Sequence, residues 1–163
     1  MGILSPAIMD FVRKQRLGYV ASISPQGLPK VSPKGSLTVW DDSHLVFADI
    51  ESPNTVLNLS KNPNTEVNVV DPFLRKGYRF TGTATVLHAG PVYFKVLEHY
   101  KSEGSDIRRI RSVVVIEVTN VLPLVSPVYV QGFPEEEVQA LWEEYHTKSN
   151  DKTVVDLTPP ADF

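Results

Sequence analysis

The chain contains no cysteine. That excludes disulfides, thiolate metal sites, iron–sulfur ligation and a cysteine nucleophile. No hydrophobic run approaches the length needed to span a bilayer. Charge of one sign is not in excess either: 16 Lys+Arg stand against 19 Asp+Glu, a net charge of −3. Such a balance leaves no electrostatic footprint for nucleic acid. The dinucleotide glycine fingerprint, the Walker loop and the zinc-helix motif are all missing. His44, His88, His99 and His146 lack metal-ligand spacing and read as surface or structural residues. Met1-Gly2-Ile3-Leu4-Ser5-Pro6 has neither the basic-then-apolar layout of a signal peptide nor the Ser or Thr that myristoylation wants at position 6. The expectation is a cytoplasmic protein.

What is present suits one globular domain. The 163 residues are 42% hydrophobic and 21% charged, ordinary values for a soluble core-forming chain. Residues 1–150 read as a single domain and residues 151–163 as a C-terminal tail.

Local signals place the elements. Ser5-Pro6 starts a helix that Gly18 is expected to close. Residues 19–23 and 31–40 read as a hairpin around Pro25-Gln26-Gly27, and residues 45–48 as a third strand. Ser52-Pro53 opens a short helix, with Ser52 as its cap, that Pro63 ends. Residues 66–70 and 78–87 are strands, the second alternating between Tyr78-Phe80-Gly82-Ala84-Val86 and Arg79-Thr81-Thr83-Thr85. A helix follows Gly90-Pro91, with Phe94, Leu97 and Lys101 on one stripe. Residues 112–118 are strand, 122–130 are expected to be extended, and Glu135-Glu136-Glu137 opens a last helix. Six or seven strands in hairpin order, with helices around them, indicate a mostly antiparallel barrel.

Two segments point to a site. Ser52-Pro53-Asn54-Thr55 sets free backbone N–H groups at the positive end of a helix, which favours an anion and most often a phosphate. Ser32-Pro33-Lys34-Gly35-Ser36 interrupts a strand with residues that strands avoid. Lys34 can supply a positive charge there, and Gly35 permits close approach to the backbone.

The order Gly27-Leu28-Pro29, Ser32-Pro33-Lys34-Gly35-Ser36, Leu45-Val46-Phe47-Ala48-Asp49, Ser52-Pro53-Asn54-Thr55, Asn62-Pro63 and Tyr78-Arg79-Phe80-Thr81-Gly82 resembles the pyridoxamine 5′-phosphate oxidase-like, FMN-binding split-barrel family. The likeness runs over about residues 8 to 130. It implies a six-stranded split β-barrel that forms a homodimer with FMN in clefts at the interface. It implies a phosphate held by Asn54 and Thr55 beside Ser52, with charge from Lys34 and from Arg79. Residues 32–37 would line the flavin ring, and Tyr129 is a candidate for the cleft wall. Asn54-Thr55 stands where the oxidases carry Arg-Lys. The segment Lys152 to Phe163 holds neither the Arg nor the His with which those oxidases bind substrate, so their own activity is not expected. The function expected is a flavin-dependent oxidoreductase of unknown substrate. The alternatives are a non-catalytic flavin carrier or sensor, or the same barrel around a deazaflavin or haem.

Overall fold

The computed structural model describes residues 2–150. They divide into two compact units, one of residues 2–71 and 76–124, the other of residues 72–75 and 125–150. The tail expected at 151–163 lies outside the described residues.

The larger unit opens with α1 (Pro6–Gln15), capped by the Ser5 hydroxyl on the Ile8 N–H. The strands β1 (Gly18–Ile23), β2 (Pro29–Lys34), β3 (Thr38–Val39) and β4 (His44–Asp49) follow. Then come α2 (Pro53–Lys61), β5 (Asn64–Asp71), β6 (Lys76–Leu87), α3 (Pro91–Ser102) and β7 (Ser112–Val125). The seven strands form one sheet in the order β2-β1-β5-β6-β7-β4-β3, and the pairs β1–β2, β1–β5, β5–β6, β4–β7 and β3–β4 are antiparallel. This is the expected antiparallel half-barrel with flanking helices, with seven strands where the family likeness implied six.

The extra strand arises at the interrupted segment. Residues 31–40 are not one strand: Gly35-Ser36-Leu37 turns the chain, and the Leu37 N–H bonds back to the Lys34 carbonyl. β2 and β3 thereby lie at opposite ends of the sheet although three residues separate them in sequence. Leu37 itself drops into the core beside Gly18, where a Cβ would stand 2.2 Å from the leucine Cδ2. That close approach is why residue 18 is glycine. It begins β1 rather than ending α1, whose cap is Arg16 in the left-handed conformation.

β4 is buried along nearly its whole length because it is covered on both faces. Leu45 and Phe47 join Val20, Val67, Phe80, Val114 and Ile116 inside the barrel. Val46 and Ala48 pack outward with Val96, Tyr100 and Val113. The buried stripe of α3 is therefore Val96 and Tyr100, not the expected Phe94 and Lys101, since Phe94 is exposed.

In the smaller unit, residues 127–131 form a 3-10 turn, so the expected strand at 122–130 stops at Val125. Ser126-Pro127 starts that turn by the same cap-then-proline chemistry that starts α1, with the Ser126 hydroxyl accepting from the Val128 N–H. α4 (Glu135–Asn150) sets Trp142 under the Arg75 guanidinium at 4.2 Å. No helix among the described residues is long and apolar enough to cross a membrane.

Candidate functional site

β2 ends the sheet, and an end strand tolerates Pro33 because one row of its backbone groups faces outward. Its side chains alternate, so Ser32 and Lys34 share a face. Lys34 is buried, with 4% of its surface exposed. Its ammonium donates to the Ser32 hydroxyl at 2.7 Å, the Ser52 hydroxyl at 2.6 Å and the Thr55 hydroxyl at 3.5 Å. It also lies 5.5 Å from the centre of the Phe47 ring. Burial pushes its pKa below the ordinary lysine value, and the nearby Asp49 carboxylate pulls it partly back. Asp49, itself buried at the end of β4, accepts from the Ser52 N–H at 2.7 Å and from the Ser112 hydroxyl at 3.5 Å. This carboxylate balances the lysine and sets the loop into α2.

Ser52 occupies the cap position of α2, yet its hydroxyl does not cap the helix, contrary to the expectation. Lys34 holds it instead. The N–H groups of Asn54 and Thr55 consequently have no hydrogen-bond partner among the described residues. Two unpaired donors, a helix dipole and a buried ammonium converge on one spot, a combination that suits an oxyanion. The Thr55 side chain is buried and the Asn54 side chain exposed. Asn58, one turn on, is buried and donates to the Ser22 hydroxyl at 3.0 Å.

Two cavities meet at Ser52. The first, about 420 Å³, has Pro33, Lys34, Gly35 and Ser36 along one side and Arg16, His99, Tyr100 and Glu103 along another. The second, about 590 Å³, lies between Lys30, Ser32 and the start of α2. Both fall in the size range of small-molecule sites. Gly35 opens onto free space: an added Cβ would meet nothing within 4 Å. Ser36 is spent on structure, donating to the Ala48 carbonyl at 3.2 Å and accepting from the Ala48 N–H at 3.0 Å.

The fold thus brings Ser32, Pro33, Lys34, Gly35, Ser36, Ser52, Asn54 and Thr55 together around these cavities. It does not bring Arg79 there. That guanidinium bonds to Asn68 at 3.3 Å and approaches Glu66 at 3.7 Å, and it lines neither cavity. Tyr129 lies in the smaller unit, where its phenol donates to the Leu74 carbonyl at 2.6 Å. Two arginines just before β7 are engaged elsewhere, Arg108 with Asp106 and Arg109 with Glu51, which lies at the rim of both cavities.

Sequence reasoning missed Lys30, Asp49, Asn58 and the wall from Arg16 and α3. Lys30 had a signal, since it shares the strand parity of Ser32 and Lys34. The α3 wall had none, because only tertiary packing brings residue 100 to residue 36.

The sequence model of the pyridoxamine 5′-phosphate oxidase family matches residues 4–123. No curated protein matches the chain. Among solved structures, HupZ of Group A Streptococcus is 27% identical, with a TM-score of 0.69 over 76% of this chain and 96% of that one. A provisionally assigned pyridoxamine 5′-phosphate oxidase of Lactobacillus delbrueckii is 25% identical, with a TM-score of 0.62 over 73% of this chain and 93% of that one. An FMN-binding protein of Syntrophomonas wolfei shares the fold at 11% identity, with a TM-score of 0.59 over 74% of this chain and 88% of that one.

Proposed function

The chain belongs to the pyridoxamine 5′-phosphate oxidase family, and we propose that it is an FMN-binding member acting as a flavin-dependent oxidoreductase. The observation that carries this reading is the buried Lys34 ammonium beside the unpaired N–H groups of Asn54 and Thr55. The residues fit a phosphate monoester: hydroxyls of Ser32, Ser52 and Thr55 surround the cation, and Lys30 adds a second charge from the same strand. The backbone of Pro33 to Ser36, open at Gly35, offers a wall for the ring system. FMN, when bound, supplies the electron-transfer chemistry, and the protein contributes binding, orientation and electrostatics.

The same proposal includes a homodimer in the cytoplasm. Tyr19, Leu28 and Val31 expose apolar surface on β1, β2 and their turn, which supports burial against a second copy.

Titration of the protein with FMN and with riboflavin, followed by flavin fluorescence and the absorption spectrum, tests the reading. Hydrogen bonds to a charged group contribute roughly 1.5–3 kcal/mol each, so losing two should weaken riboflavin by about 100-fold. Equal affinities would overturn the phosphate assignment. A haem or deazaflavin spectrum from the purified protein would overturn FMN. Turnover with NADH or NADPH and an electron acceptor separates an enzyme from a carrier.

A further inference from the structure

Arg16 has φ 53°, a left-handed backbone that glycine ordinarily takes at a helix end. It is the C-cap of α1, and its N–H donates to the Val12 carbonyl. The guanidinium lines the first cavity and makes one hydrogen bond, from Nη2 to Glu103 Oε2 at 2.6 Å. The other N–H groups of its fork have no partner among the described residues. Both side chains of the pair are exposed, 71% and 45%, and an exposed ion pair contributes little, so an incoming anion displaces Glu103 at small cost. His99, one helical turn before Glu103, lines the same cavity. Its ring touches Trp40 and Tyr100 edge-on or tilted, and its nitrogens have no hydrogen-bond partner among the described residues. The same cavity is lined by Pro33, Leu37, Ala48 and Ile50 together with polar groups that include Ser36, Thr38 and Ser52. Lys34 is turned to Ser32, Ser52 and Thr55 and does not serve this end.

We propose that Arg16 and His99 form a carboxylate-binding subsite, which makes the substrate of the flavin site a small organic acid. The guanidinium fork matches a carboxylate in two parallel hydrogen bonds, which a lysine does not. Glu103 occupies that fork until the ligand arrives. The placement of the ligand beside a flavin rests on the reading above; the subsite itself does not.

Benzoate and its uncharged isostere benzamide serve as probes, titrated by calorimetry into the protein both with and without FMN. Benzoate should bind about tenfold or more tighter than benzamide, the ratio expected for one charge-assisted hydrogen bond. Arg16→Gln should remove that preference. Glu103→Gln should strengthen benzoate, because the fork is then free. Arg16 is exposed, so both variants should fold, which circular dichroism checks. Equal binding of benzoate and benzamide, or full benzoate preference in Arg16→Gln, overturns the subsite. Loss of FMN binding with the benzoate preference kept overturns the flavin reading and supports the subsite.

Discussion

The Tyr100 phenol donates a 2.7 Å hydrogen bond to the carbonyl of Ser36. That single contact ties α3 to the turn joining the two ends of the sheet. Ser36 in turn bonds both backbone groups of Ala48 through its hydroxyl, continuing the ladder that pairs Thr38 with Val46. Three elements are thus fixed at one residue, directly beside the backbone that would face a flavin.

Tyr100→Phe should therefore loosen the turn without emptying the core. The Ser36 carbonyl is partly buried, so losing its donor should cost about 1 kcal/mol, the low end for an unsatisfied group, and thermal unfolding should register the loss. FMN affinity should fall with it; unchanged Tm and unchanged affinity would show that the turn needs no such anchor. Burial also holds the phenol pKa well above the ordinary 10.0. The folded state keeps the proton more tightly than the unfolded one. This stabilisation is complete below pH 10 and lost as pH rises beyond it. Denaturant midpoints of the wild type should drop in that alkaline range more steeply than those of Tyr100→Phe.

Much of this was legible in the chain. Serines before prolines marked the starts of α1 and α2, and period-two alternation marked β6, whereas the turn at 127 was hidden in a segment that read as extended. Pro33-Lys34-Gly35, improbable inside a strand, marked the site because local rules break where function or topology demands it. What stayed hidden is tertiary. Nothing in Ser52-Pro53 says that the hydroxyl turns from its own helix to a lysine eighteen residues earlier. Nothing local places Tyr100, His99 or Glu103 opposite Gly35. Arg79 looked available for a phosphate because its strand was read alone, whereas pairing with β5 hands it to Asn68 and Glu66.

Lys34 predicts how FMN affinity depends on pH. Desolvation lowers its pKa in the free protein, and a bound phosphate dianion would raise it again. A group whose pKa is raised on binding favours the complex fully below its free value. That advantage is lost as pH climbs through the free value toward the bound one. FMN binding should consequently weaken on the alkaline side, beginning below the ordinary lysine value of 10.5. In Lys34→Met the affinity should be weaker at neutral pH and lack this alkaline decline. The same decline in both proteins would assign the titration to another group.

The dimer proposal turns on the outer face of β2. Val31 is 67% exposed there, opposite Ala21 in the register, with Tyr19 nearby on the same sheet. Light scattering at micromolar concentration should report twice the 18.2 kDa of the chain. Val31→Glu should shift the protein to a monomer that keeps its circular dichroism, because burying two unpaired carboxylates across a symmetric contact is costly. A wild-type monomer that still binds FMN would remove the interface from the account of the site.

Variants of Ser52 and Thr55 test whether this cluster binds a phosphate. Lys34 reaches the Ser52 hydroxyl at 2.6 Å but the Thr55 hydroxyl only at 3.5 Å, a marginal distance. If the phosphate bonds to this cluster, Ser52→Ala should weaken FMN by about tenfold or more, as loss of a charge-assisted hydrogen bond requires. Thr55→Ala should weaken it less. The first turn of α2 accepts alanine, so neither change should unfold the protein. Riboflavin, having no phosphate, should bind both variants as it binds the wild type. Parallel fluorescence titrations of the three proteins with the two flavins decide the matter. Equal losses for FMN and riboflavin would mean that residues 52 to 55 support the barrel rather than a phosphate, and the anion would have to be sought elsewhere along the two cavities.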